Sequence, residues 1–164
     1  MKGRKRNSTA GALDRAALFF ATGFGLGRMP FAPGTWGSLI AIPVYLGASR
    51  LPFPAPPLFL FLLIVFSIFT AERAANLIGS GDPPEVVIDE VAGMALALAF
   101  APARVYWIAP AFFLFRAFDI LKPFPVNYID RNIHGGPGIV LDDLVAGAMA
   151  GLSLKFLEYI LYAR

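Results

Sequence analysis

Residues 57–77 read PLFLFLLIVFSIFTAERAANL, an apolar run in which the first charges, Glu72 and Arg73, come only near the end. As a helix rising about 1.5 Å per residue, twenty-one residues match the roughly 30 Å hydrocarbon core of a bilayer. This stretch therefore predicts a transmembrane helix, and its neighbours repeat the pattern. Downstream, past a polar loop at Gly79–Glu85, come apolar runs at Val86–Ala101, at Val105–Leu121 and from Leu141 to about Tyr162. Upstream, Ser38–Leu51 is apolar but short, carries Pro43, and crosses only with support from its neighbours. Ala16–Ala21 closes a short amphipathic stretch, and the Gly/Pro-rich segment Thr22–Gly37 reads as loop or re-entrant structure. Expected, then, is an all-α polytopic membrane bundle of about five transmembrane or partly embedded helices, preceded by a short N-terminal amphipathic helix. The 164 residues suit a single domain, with 1–10 a basic, flexible N-terminus.

Composition agrees. The chain is 57% hydrophobic and only 15% charged, against about 45–50% apolar and roughly 25% charged for soluble domains. Asp14 and Arg15 interrupt the first apolar stretch, so a cleaved secretory leader is not expected. About half of the positive excess lies in the first six residues, at Lys2, Arg4, Lys5 and Arg6, and the rest is scattered, which favours anionic lipid over nucleic acid as a partner. No obligatory protein partner is evident. With no cysteine, thiolate metal ligands and cysteine nucleophiles are excluded.

If each run crosses once, the segments 22–37, 78–90 and 119–143 fall on one side. That side collects most of the Lys and Arg residues, among them Arg15, Arg28, Arg73, Arg116, Lys122 and Arg131, leaving Arg50, Arg104, Lys155 and Arg164 near the other. A Lys/Arg excess marks the cytoplasmic face.

Two acidic pairs stand at the starts of predicted helices on that side, Asp89-Glu90 and Asp142-Asp143. Their surroundings echo one another, Val-Ile-Asp-Glu-Val-Ala-Gly93 against Val-Leu-Asp-Asp-Leu-Val-Ala-Gly147. The small Ala-Gly steps allow close helix contact, which brings four carboxylates together. Such a cluster at membrane depth needs a cation. With oxygen ligands only and a single histidine, magnesium fits best, held by Asp89, Glu90, Asp142 and Asp143. Arg116, Lys122 and Arg131 flank this surface and suit phosphate oxygens. His134, the one histidine, is a candidate proton donor or phosphate contact, and Thr35 and Ser38 in the glycine-rich stretch are candidate hydroxyl contacts. A simpler reading makes the acids helix caps and pairs Arg116 with Asp119 three residues on.

The ordered motifs Thr22-Gly-Phe-Gly, Pro33-Gly-Thr35 with Gly37-Ser38, Asp89-Glu90 with Gly93, Arg116 with Asp119 and Lys122-Pro123, Asp130-Arg131 with His134-Gly-Gly, and Asp142-Asp143 with Ala146-Gly147 together resemble the phosphatidylglycerophosphatase A family. The resemblance runs from about Ala21 to Leu152. It implies a bacterial inner-membrane, magnesium-dependent phosphatase that converts phosphatidylglycerophosphate to phosphatidylglycerol in phospholipid biosynthesis, with the active site facing the cytoplasm and the acids as metal ligands. The expected chemistry is metal-assisted attack of water at phosphorus. Competing readings are a carboxylate-lined cation transporter and a metal-dependent phospholipid head-group transferase.

Overall fold

The computed structural model describes residues 11–162, so the basic segment 1–10 and Arg164 lie outside the described residues. Within them the chain forms seven α-helices and no strand. Helix α1 (Ala12–Ala21) starts where Asp14 turns back to accept the Gly11 backbone N–H. It is tied to the rest of the bundle by Arg73, whose Nε donates to Asp14 at 2.8 Å.

Helix α2 (Pro33–Ser49) begins five residues earlier than expected, inside the segment read as loop. Proline is preorganised for the first helical position, and a left-handed Ala32 (φ 45°) turns the chain into it. The remainder, 22–32, is irregular apart from a 3-10 turn at Leu26–Arg28. Glycine is required in α2 by proximity: a Cβ at Gly37 would stand 2.6 Å from the Val87 carbonyl oxygen.

Helices α3 (Ala55–Ile78) and α7 (Gly135–Tyr162) are the two long enough and apolar enough to cross a membrane. Helices α4 (Ile88–Phe100) and α5 (Ile108–Leu121) have 13 and 14 residues. At about 1.5 Å per residue they reach some 20 Å, less than a perpendicular crossing. The 17-residue α2 is also short. Of the about five transmembrane or partly embedded helices expected, two are long and apolar enough to cross, and α2, α4 and α5 are shorter helices packed among them.

Another difference lies between α5 and α7. The polar hairpin expected at 127–138 is mostly helical, with α6 at Val126–Asn132 and α7 starting at Gly135, six residues before the apolar run begins. Glu72 on α3 accepts the Gly136 backbone N–H and so supplies the partner that an isolated helix start would lack. As a result Asp142 and Asp143 lie two turns inside α7, not in its first turn.

Helix α4 is the centre of the bundle. Nine of its residues, from Ile88 to Leu98, are buried against α2, α3, α5 and α7. It meets α7 backbone to backbone: a Cβ at Gly147 would lie 2.1 Å from the Gly93 carbonyl oxygen, and one at Gly151 2.5 Å from that of Ala97. The two Ala-Gly steps of the repeated acidic motif are therefore the contact that sets α4 against α7, as their small size predicts.

Candidate active site

The α4–α7 contact decides where the acids go. One turn before Gly93, Asp89 and Glu90 leave α4, and the Asp143 carbonyl faces Gly93 from α7. Asp89, Glu90 and Asp143 each offer a carboxylate oxygen, and these oxygens all lie within 4.8 Å of one another. Asp89 Oδ1 and Glu90 Oε2 are shielded from solvent without a hydrogen-bond partner. Asp89 is 7% and Asp143 4% exposed, so water does not compensate their charge. A hard cation fits this oxygen-only set, supplying the charge that the buried acids lack.

Asp142 lies outside the three. Its Oδ2 accepts from Lys122 Nζ at 2.8 Å, and its Oδ1 accepts the Asp143 backbone N–H. Consecutive positions on a helix point about 100° apart, so Asp142 faces the α5–α6 turn while Asp143 faces α4. Lys122, in a left-handed turn at the end of α5 (φ 43°), is also bonded to Asp130. Burial by itself would depress the Lys122 ammonium, but the bonds to Asp130 and Asp142 raise it well above its ordinary 10.5.

Arg116 reaches the same cavity from α5. Its guanidinium lies 2.7 Å from Asp119 and 3.8 Å from Glu90. The simple i, i+3 pair with Asp119 is therefore real, yet it leaves Arg116 Nε buried without a partner. Together these groups line a cavity of about 270 Å³, closed on one side by Ala32, Pro33 and Gly34 at the start of α2. A Cβ at Gly34 would stand 2.0 Å from Glu90 Oε1 and 2.8 Å from Arg116 Nη1. The glycine-rich segment thus brings the positive end of α2 to the cavity, a favourable setting for an anion.

The proposed hydroxyl contacts are placed differently. Ser38 is fully buried, and its Oγ donates to the Gly34 carbonyl at 2.8 Å. Neither it nor Thr35 lines the cavity. Arg131 is exposed on α6, also outside the lining. His134 is exposed and lines an adjoining cleft of about 250 Å³, which shares Asp82, Ile139 and Asp142 with the cavity.

Two acids were missed in the sequence. Asp82 lines both spaces, and its carboxyl is pushed up by partial burial, an effect that Lys122 opposes and that Asp130 and Asp119 reinforce. It sits in a polar loop, where nothing in the spacing separates it from an ordinary turn residue. Asp130 was noted only as part of a motif, and its bond to Lys122 depends on α6.

A family model for phosphatidylglycerophosphatase A matches residues 19–158. The chain belongs to the phosphatidylglycerophosphatase A family. The phosphatidylglycerophosphatase A of Escherichia coli is 39% identical over 140 residues, 85% of this chain and 81% of the relative. That of Haemophilus influenzae is 37% identical over 143 residues, 85% of this chain and 86% of its own. A Bacteroides thetaiotaomicron protein named as a candidate phosphatidylinositol-3-phosphatase is 37% identical over 151 residues, covering 88% of this chain and 94% of the relative. No solved structure matches significantly. The residues matched by the family model include every residue that lines the acidic cavity.

Proposed function

We propose that this chain is a membrane-embedded phosphatase that hydrolyses phosphatidylglycerophosphate to phosphatidylglycerol and inorganic phosphate in phospholipid biosynthesis. The observation that carries the reading is an oxygen-only acidic triad inside the matched family span, bordered by Arg116 and Lys122.

Asp89, Glu90 and Asp143 hold magnesium in this reading. Bound there, the ion supplies Lewis-acid polarisation of the phosphoryl group and a water activated near neutral pH. Arg116, fixed by Asp119, and Lys122, fixed by Asp142 and Asp130, neutralise the phosphoryl oxygens as charge develops. The start of α2 adds its dipole. His134 lines the adjoining cleft, which shares Asp82 and Asp142 with the cavity and leaves room there for the glycerol part of the head group.

Membrane embedding rests on what the long helices leave uncovered. In the apolar windows of α3 and α7 only 28% and 33% of residues are buried, and Phe61, Phe69, Phe156 and Leu161 are all more than half exposed. A soluble protein rarely leaves so large a continuous apolar surface bare. The whole chain then forms one embedded multi-pass domain, with the shorter α2, α4 and α5 crossing within it. The cavity faces the cytoplasm because Arg15, Arg28, Arg73, Arg116, Lys122 and Arg131 lie toward that end. A cation pathway is disfavoured by Arg116 and Lys122 at the acids, which repel cations.

The test is phosphate release by detergent-purified protein, with magnesium or EDTA, from phosphatidylglycerophosphate, phosphatidic acid and phosphatidylinositol 3-phosphate. Magnesium-dependent release from the first lipid alone is expected. Preferential release from the phosphoinositide would transfer the assignment to the activity in the Bacteroides relative's name, and a requirement for a cytidine nucleotide would favour a transferase.

A further inference from the structure

At the end of the bundle away from the acids, the chain leaves α4 through Ala101-Pro102-Ala103-Arg104 and enters α5 by a 3-10 turn at Val105–Trp107. This turn and the end of α2 enclose a cavity of about 200 Å³, lined mainly by apolar groups such as Leu46, Leu98 and Ile108. Trp107 lines it through its ring and is 7% exposed.

Arg104 lines the cavity too, and its guanidinium is held in place. It donates to the Tyr106 hydroxyl at 2.7 Å, and its Cζ lies 4.8 Å from the centre of the Tyr162 ring. Among the described residues no carboxylate is within salt-bridge distance of Arg104, whereas the nearby Lys155 is bonded to Glu158 at 2.9 Å. Arg104, Lys155, Tyr159 and Tyr162 also border a second, open space of about 520 Å³ beside the first. Aromatic side chains with a cation at the end of a membrane-length helix mark the lipid head-group level.

From this we infer that the cavity at the α4–α5 turn is a binding site for an anionic phospholipid of the leaflet opposite the acidic cavity, with the upper acyl chain in the cavity and the phosphate on Arg104. The occupant follows from the chemistry of the lining: an apolar interior for the upper acyl chain and, at its mouth, a guanidinium that no carboxylate among the described residues pairs. The site rests on the membrane embedding proposed above but not on the phosphatase activity. It is also remote from the acids: on α7, Asp143 and Tyr159 are separated by sixteen residues, about 24 Å of helix.

Two tryptophans, Trp36 and Trp107, are present, so Trp36→Phe makes Trp107 the sole tryptophan, excited selectively at the red edge where tyrosine does not absorb. The full-length variant, reconstituted in phosphatidylcholine nanodiscs, is titrated with phosphatidylglycerol or phosphatidylcholine brominated close to the ester, which quenches only near contact. Saturable quenching of Trp107 is expected at an about tenfold lower mole fraction of brominated phosphatidylglycerol than of brominated phosphatidylcholine, the scale of one charge-assisted contact. Arg104→Gln, at an exposed position, removes that preference, while Asp89→Asn leaves it intact because the lipid is not in the acidic cavity. Equal quenching by both lipids, or a preference unaffected by Arg104→Gln, would overturn the site. A preference lost with Asp89→Asn would assign the lipid to the acidic cavity and overturn it as well. Absence of quenching by either lipid would overturn the site together with membrane embedding, leaving the phosphatase assay to stand alone.

Discussion

Adjacent carboxylates in this chain have different work, and the difference is one of helix phase. Asp143 faces α4 and joins Asp89 and Glu90, while Asp142 holds Lys122. Asp143→Asn should therefore raise the magnesium concentration needed for half-maximal phosphatase activity and lower kcat, by at least the roughly 10–100-fold that loss of an outer partner of a metal site costs. Asp142→Asn should act mainly on KM, with the magnesium requirement nearly unchanged; a magnesium titration of both variants separates the roles. Lys122 gives a pH prediction. Because its folded pKa is raised, the stabilisation from its bonds to Asp130 and Asp142 is complete below its ordinary 10.5 and is lost only as pH rises past that value toward the folded pKa. Thermal unfolding in detergent should show the same deficit for Lys122→Gln at pH 7 and at pH 9. At this scale the grouping of the two acidic pairs with Arg116 and Lys122 around one cavity was legible in the residue types and their spacing. The sequence was not legible for Ser38, whose hydroxyl satisfies its own helix, or for Asp82, a turn residue until the loop is folded over the cavity.

Glycines that read as breakers serve as contact points in the helices. Gly34 sits in the first turn of α2, where any side chain would push on both Glu90 and Arg116. Gly34→Ala should lower kcat about 100-fold, the penalty for moving catalytic groups by an ångström, while thermal unfolding in detergent changes little. Gly147→Val should act on the fold instead, because its Cβ would enter the Gly93 carbonyl where α4 crosses α7. Overpacking of about 1–3 kcal/mol or more is expected, read as a lower melting temperature and a smaller monodisperse fraction in size-exclusion chromatography. The repeated Ala-Gly motif made this contact readable in advance. The start of α7 was not readable, because Glu72 completes that helix end from 64 residues away in sequence, whereas at α2 the start signal of Pro33 was outweighed by the glycines around it. Local composition therefore favoured a loop where tertiary partners stabilise a helix.

For the molecule as a whole, the apolar runs announced a membrane protein with its polar segments at one end. The cavity bears out that grouping, since it is lined from the start of α2, the α3–α4 loop, the end of α5 and the first half of α7. Run length overstated how alike the helices are: buried α4 needs apolar residues on nearly every face although it has only 13, so hydropathy cannot distinguish it from a lipid-facing span. What the grouping requires is an alternating path, with Ser80 at the acidic end and Ala103 at the opposite end. The chain has no cysteine, so single probes can be placed without a background. Ser80→Cys and Ala103→Cys, both at exposed-loop positions next to residues that line no part of the acid triad, should keep phosphatase activity. In intact spheroplasts a membrane-impermeant maleimide should label Ala103→Cys and spare Ser80→Cys, and permeabilisation should make both reactive. The reverse pattern would put the acidic cavity outside the cytoplasm, against the distribution of Arg and Lys. Labelling of both in intact spheroplasts would mean that α4 does not cross, so its 13 residues would turn back within the bundle and Trp107 would lie on the same side as the acids.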